Sequence, residues 1–313
     1  MAIAATAVLA GFHTELHNVG PIDARSEASE LVTTDIVGIR TFQSPPGITV
    51  DTDLTYGTQP DGALLTLDVC FTESSETGRP AVLSIHGGSW ARGDKGNSDW
   101  RAVCQWLAAE GFVAYSVNYR LVPDVTFPAA IDDLALAVEW IRNPENAERY
   151  GINPARIGAF GGSAGGNLAA LLGARGSGSL VEGSRVAAVA ELSGPIDLAA
   201  DTEATGRMPV GLERIVLDYL GCVSLADCEA ATSASPPSEL DETDPPVFIG
   251  TSTEEFVPLA QSRGYAAHLA RLGIRHELVT VPGALHSIGI LDETMRERVA
   301  AFLRTALSTA PAD

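Results

Sequence analysis

The sequence predicts a doubly wound, mostly parallel α/β sheet, and three observations carry that expectation. From residue 81 onward, short continuous apolar runs alternate with stretches of helical periodicity. That is the pattern of strands covered on both faces by crossover helices. Ahead of them, two runs of alternating apolar and polar residues flank Gln59-Pro60-Asp61-Gly62, a hairpin signal that places antiparallel strands at the front edge. In the middle, Gly161-Gly162-Ser163-Ala164-Gly165 joins a strand-like run to an alanine- and leucine-rich helix. A Gly-x-Ser-x-Gly pattern in that context holds its serine at the tip of a strained turn.

Residues 1–47 read as an extension, with 36–42 its strand-like part, and Pro45-Pro46-Gly47 breaks it from a single domain over 48–313. Eight strands are expected, over 48–56, 64–72, 81–85, 112–117, 157–160, 186–192, 247–250 and 277–281. Helical periodicity covers 100–109, 129–141 (stopped by Asn143-Pro144), 164–174, 259–272 and 292–307. Residues 197–245 break the alternation with eleven acidic and two basic side chains and several prolines. They read as a small insertion over the carboxyl ends of the strands, part helix (212–220) and part loop, of the kind that shapes a substrate entrance.

Charge and composition exclude some functions. With 20 basic against 40 acidic residues the net charge is −20, and no Lys/Arg cluster appears. Nucleic-acid binding, which needs phosphate neutralisation, is not expected. No apolar run approaches the roughly 20 residues of a membrane span. Residues 2–10 are small and apolar, without a Lys or Arg before Arg25; they read as the remnant of a signal peptide or as an amino-terminal helix, which favours an extracytoplasmic over a cytoplasmic location. Cys222 and Cys228 bracket a short polar loop that a disulfide closes in an oxidising compartment. Cys70 and Cys104, in strand-like and helix-like runs, read as small buried hydrophobes. No Cys/His spacing suits zinc, and neither a metal nor a cofactor is expected.

Acyl transfer by a serine needs a base, a carboxylate that orients the base, and N–H donors for the oxyanion. Where the serine sits on such a turn, the chain order is serine, acid, histidine, with a glycine-rich loop after an early strand. Ser163 is the candidate nucleophile. The glycine-rich loop is Ser84-Ile85-His86-Gly87-Gly88-Ser89-Trp90, whose adjacent glycines let backbone approach a substrate. The N–H groups of Gly87, Gly88 and Ala164 are the expected oxyanion hole, and His86 is expected to pin the loop. His286, on the loop after the last strand, is the expected base. The acid should follow the strand at 247–250, where the chain reads Thr253-Glu254-Glu255-Phe256. Glu254 is the first choice there, with Glu255 and Asp197 as alternatives.

These residues together resemble the α/β-hydrolase superfamily, and within it the hormone-sensitive-lipase-like and feruloyl/acetyl-esterase-like carboxylesterases. The likeness runs over about 64–307. It rests on His86-Gly87-Gly88, Asn118-Tyr119-Arg120-Leu121, Phe127-Pro128-Ala129-Ala130-Ile131-Asp132-Asp133, the Ser163 turn and His286. The resemblance implies that Arg120 and Asp132 are structural residues beside the oxyanion loop. The sequence departs from the family at Gly162, where Glu or Asp is usual, and at Ser89, where the lipase-like branch has a third glycine. It also lacks the family's aspartate near Glu254.

The expected activity is a metal-independent serine carboxylesterase acting through an acyl-enzyme on small to medium neutral acyl or aryl esters. The expected partner is a small-molecule ester, with no nucleic acid and no membrane span. An arylformamidase-like amidase with the same triad is the alternative enzyme. A non-catalytic binding protein on the same fold is the alternative from another class.

Overall fold

The structure, a computed structural model, describes residues 29–30, 38–199 and 208–308. The front of the chain supplies β1 (Ser29–Glu30), a 3-10 turn (Gly38–Thr41), β2 (Ile48–Thr58), β3 (Leu64–Thr72) and β4 (Arg79–Ile85). Then α1 (Ser98–Ala109), β5 (Val113–Val117), α2 (Ala129–Arg142), α3 (Pro144–Tyr150), β6 (Ile152–Gly162), α4 (Ala164–Ala174) and β7 (Ala188–Leu192) follow. The last third holds α5 (Val210–Leu220), α6 (Glu229–Ser233), α7 (Pro236–Glu239), β8 (Val247–Ser252), α8 (Leu259–Arg271), β9 (His276–Val281) and α9 (Glu293–Ser308).

The eight expected strands form one sheet, extended at its edge by the two-residue β1, in the order β1-β9-β8-β7-β6-β4-β5-β3-β2. Strands β2 and β3 pair antiparallel, as do β3 and β5, and every other pairing is parallel. Alternation along each strand sends side chains to two cores. In β7, Val189 joins the layer with Leu134 of α2, Leu171 of α4 and Leu269 of α8. Its neighbours Ala188 and Ala190 join Trp106 of α1 and Leu303 of α9 on the opposite face. Because β4, β6, β7, β8 and β9 run parallel, their carboxyl ends emerge in one row, and the site stands along that row.

Four local expectations change. Residues 38–41 form a 3-10 turn where a strand was expected over 36–42, and positions 36 and 37 lie outside the described residues. A Cβ on Gly38 would stand 2.4 Å from the backbone of Leu291 and Asp292, and Arg296 Nη1 donates to the Gly38 carbonyl at 3.0 Å. That stretch therefore packs into the domain. Asn143-Pro144 ends α2 and also starts α3: Asn143 Oδ1 accepts the Glu145 N–H at 3.0 Å, and proline takes the first turn, where its missing donor costs nothing. Strand β6 begins at Ile152, five residues before its apolar run. Finally, Cys70 of β3 and Cys104 of α1 are disulfide-bonded rather than free, alongside the expected Cys222–Cys228 bond that closes the α5–α6 connection. Both Cys70 and Cys104 are wholly buried, as hydrophobes would be, so burial alone could not separate the two readings. The expected apolar segment at 2–10 lies outside the described residues. Among the described residues no helix is long and apolar enough to cross a membrane.

Candidate active site

The turn between β6 and α4 explains its own glycines. Ser163 has φ 57° and ψ −125°, a positive φ that a non-glycine residue adopts only when its surroundings enforce it. Here the Ser163 N–H donates to the Leu192 carbonyl at 2.8 Å, and its carbonyl accepts the N–H groups of Gly166 and Asn167. A Cβ on Gly161 would lie 2.0 Å from the Gly165 carbonyl oxygen, and one on Gly165 would lie 2.1 Å from that of Ile85. Both contacts are with backbone, which cannot move aside.

The carboxyl ends of β6, β8 and β9 bring Ser163, Glu255 and His286 into one chain of hydrogen bonds. His286 Nε2 stands 2.8 Å from Ser163 Oγ, and Nδ1 bonds Glu255 Oε2. The other carboxylate oxygen, Oε1, accepts from Ser193 Oγ, Thr251 Oγ1 and the Ser252 N–H, each at 2.8 Å. The Glu255 side chain is fully buried, while His286 is about one-third exposed, 32%. Glu254, the first choice from the sequence, is exposed and enters only through its N–H, which donates to the Gly283 carbonyl. Asp197 is also elsewhere: its carboxylate accepts the Ala199 N–H and its N–H donates to Gln261 Oε1. Sequence reasoning missed Ser193, Thr251, Ser252 and Ser287. Ser193 and Ser287 both have positive φ (55° and 58°), and the Ser287 N–H donates to Ser193 Oγ at 2.9 Å. A turn signal for the first of these places, Ser193-Gly194-Pro195, stands in the sequence, but it says nothing of its use.

The loop after β4 lies against the serine. A Cβ on Gly87 would come within 3.1 Å of Ser163 Cβ and 2.7 Å of the Gly162 carbonyl oxygen. Gly88 has φ +128°, and its carbonyl accepts the N–H groups of Ala91 and Arg92. Ala164 opens α4, so its N–H has no carbonyl one turn back within the helix. Gly87 and Ala164 thus flank Ser163, and Gly88 lines the same cleft. His86 turns onto its own loop: Nδ1 donates to the Gly87 carbonyl at 2.9 Å, and the ring stacks on Tyr119 at 4.4 Å. Burial pushes its imidazole pKa below the usual histidine value, which favours the neutral form. A cleft of about 600 Å³ opens over Ser163 and His286, lined by the loop glycines, Arg92, Asn97, Trp100, Ile215 and Phe256.

Of the two residues expected to be structural, Arg120 pairs with Asp133 rather than with Asp132. Arg120 donates from its backbone N–H, Nε and Nη2 to the Asp133 carboxylate, which is 0% exposed. Asp132, one position earlier on α2, turns outward and pairs with the exposed Arg175 at 2.9 Å. Successive helix residues point about 100° apart, so adjacent aspartates face opposite environments. Among the described residues, no group of three or more His, Cys, Asp or Glu is placed to hold a metal ion.

Sheet order, the strained serine turn and the loop beside it together define an α/β-hydrolase fold. The BD-FAE family profile matches residues 67–269, and the chain belongs to that family. It is similar to carboxylesterase NlhH of Mycobacterium tuberculosis, 32% identical over 216 residues that cover 66% of each chain. It is 41% identical over 95 residues to arylacetamide deacetylase of Bos taurus, covering 30% of this chain and 24% of that one. The match thus spans about a quarter of that relative's length. Among solved structures, the Pyrobaculum calidifontis esterase aligns at a TM-score of 0.66 and 26% identity, covering 84% of this chain and 86% of that one.

Proposed function

We propose that this chain is a serine carboxylesterase. The observation that carries the reading is the continuous set of hydrogen bonds from Ser163 through His286 to the buried Glu255, standing beside a glycine-rich loop. Relatives named as carboxylesterase and esterase support the same reaction class.

In this mechanism Ser163 Oγ attacks the ester carbonyl while His286 Nε2 takes its proton. Glu255 keeps the other proton of the ring on Nδ1, so that Nε2 has its lone pair free in the resting enzyme. The tetrahedral oxyanion is held by the N–H groups of Gly87, Gly88 and Ala164, assisted by the positive end of α4. The imidazolium then protonates the departing alcohol and leaves an acyl-enzyme. Water, deprotonated by His286, attacks that ester; the acid departs and the proton returns to Ser163. The cleft pairs apolar walls (Trp100, Ile215, Phe256) with backbone donors at one end, which suits small to medium neutral acyl or aryl esters.

The test is labelling by a fluorophosphonate together with turnover of p-nitrophenyl esters of graded acyl length. The wild type labels at Ser163 and hydrolyses the shorter esters, and Ser163→Ala does neither. Turnover by Ser163→Ala within a few-fold of wild type defeats the mechanism.

A further inference from the structure

Glu191 is an acidic residue in the middle of the sheet for which the reaction just described has no use. It lies on β7 between Gly161 of β6 and Ile249 of β8, and is 0% exposed. Strand alternation turns it, like Val189, toward the α4 and α8 face. Oε2 accepts the Gly194 N–H at 2.8 Å, and among the described residues Oε1 has no hydrogen-bond partner. A Cβ on Gly166, in the first turn of the helix that follows Ser163, would lie 3.2 Å from Oε2. Glu191 therefore sits directly behind the amino end of α4.

The turn that Glu191 holds also carries the triad's support. Ser193, the residue before Gly194, donates Oγ–H to Glu255 and accepts the Ser287 N–H, next to His286. One carboxyl group thus anchors the turn on which both the acid and the histidine loop rest. Among the described residues, the titratable groups coupled to it are Glu255, from the loop after β8, and the Tyr265 hydroxyl of α8, while α4 presents Gly166. Among the described residues none of the groups acting on Glu191 is a cation.

We infer that Glu191 is a positioning residue which holds the Ser193–Gly194 turn in its neutral, protonated form, and that its ionisation slows the acyl-transfer reaction. The inference rests on the serine esterase reading. Loss of the proton places a second negative charge beside Glu255 and behind the helix end that faces the oxyanion. The oxyanion is then less stable, so turnover falls with little change in substrate binding. Burial, with the charge of Glu255 adding to it against the Gly194 N–H, pushes the Glu191 carboxyl up to about 8. The transition therefore falls where the enzyme can be assayed.

The experiment is the pH profile of kcat and KM for a p-nitrophenyl ester, on the wild type and on Glu191→Gln. The substitution keeps an acceptor for Gly194 and removes the ionisation. In the wild type, kcat declines through an alkaline limb and by pH 9.5 is down about 10-fold or more, with KM steady. In Glu191→Gln the limb is absent or displaced upward, and kcat at pH 7 stays within about 3-fold. An unchanged limb in the variant overturns the inference, and so does a uniform loss at every pH. If the variant fails to fold, the rate of fluorophosphonate labelling of wild-type Ser163 against pH replaces it. A fall through the same limb with unchanged circular dichroism supports the inference, and a rate that stays flat to pH 9.5 overturns it. These outcomes are separate from the Ser163→Ala result, which tests the esterase reading alone.

Discussion

Exchanging glutamate for glutamine at 254 and at 255 gives two nearly isosteric variants with opposite expectations. At 255 the loss follows from hydrogen-bond geometry. Oε1 receives three donors, Ser193 Oγ, Thr251 Oγ1 and the Ser252 N–H, each at 2.8 Å. A glutamine must place its carbonyl oxygen there, because its NH₂ group has nothing to accept with. The NH₂ group then faces His286 Nδ1, which must become an acceptor. The ring proton moves to Nε2 and points at Ser163 Oγ, so the base has no lone pair for the serine proton. Holding the wrong tautomer in an otherwise intact triad lowers kcat by about 10⁴-fold, equivalent to about 5.5 kcal/mol of transition-state stabilisation. At 254 the side chain is exposed and only its backbone N–H is used; Glu254→Gln is expected to keep kcat within about 2-fold. The assay is kcat and KM on a short-chain p-nitrophenyl ester, with circular dichroism to confirm folding. A Glu255→Gln enzyme within 10-fold of wild type, or a Glu254→Gln enzyme reduced about 100-fold or more, refutes the reasoning.

Four further outcomes are expected. Asp133→Asn leaves the Arg120 guanidinium without its buried partner and lowers stability by about 3–5 kcal/mol in urea denaturation, whereas Asp132→Asn, which breaks an exposed pair, changes it by less than about 1 kcal/mol. Replacing both Cys70 and Cys104 by serine opens a crosslink with a sequence separation of 34 and costs about 4 kcal/mol on loop-entropy grounds; opening Cys222–Cys228, with a separation of 6, costs about 2 kcal/mol. Gly165→Ala places a Cβ 2.1 Å from the Ile85 carbonyl oxygen and yields a protein that melts well below wild type or does not fold, read by thermal denaturation. Stability follows Glu191 in a direction set by its raised pKa. The folded state binds the proton more tightly than the unfolded one, so stabilisation relative to Glu191→Gln is fully present below 4.5 and lost as pH rises through about 8, as urea midpoints at a series of pH values will show.

The sheet was legible in the sequence because its signals are periodic: eight apolar or alternating runs became eight strands, and the glycines around Ser163 marked a turn that only they fit. The errors cluster where one residue of chain changes the direction of a side chain. Glu254 and Glu255 lie in an irregular turn with no period to say which points inward. Asp132 and Asp133 lie on a helix, and there the signal was available. Ala130 and Ala137 are buried on α2, and Asp133 sits three residues after the first and four before the second, on the same stripe. The Cys70–Cys104 bond escaped for another reason, since its partners come from a strand and a crossover helix whose contact is set only once the sheet is assembled. The end of α2 was read correctly, but α3 was not anticipated, because Asn-Pro satisfies the rule for ending a helix and the rule for starting one.

The departure at Gly162 has a physical account in the loop from the far end of the chain. A Cβ at 162 would stand 2.1 Å from Ser287 Oγ and 3.4 Å from Ser287 Cβ. The acidic side chain that the resemblance leads one to expect at this position would therefore compete with the serine that follows His286 for one volume. Ser287 holds it here, at φ 58°, with its N–H on Ser193 Oγ. Ser252 Oγ donates to the Leu285 carbonyl on the other side of the histidine. The imidazole loop is thus fastened on both flanks by serines from the ends of β7 and β8, with no contribution from a carboxylate beside the nucleophile. Glycine at 162 fits this packing: with the loop after β9 anchored through Ser193, the space next to Ser163 is filled by Ser287.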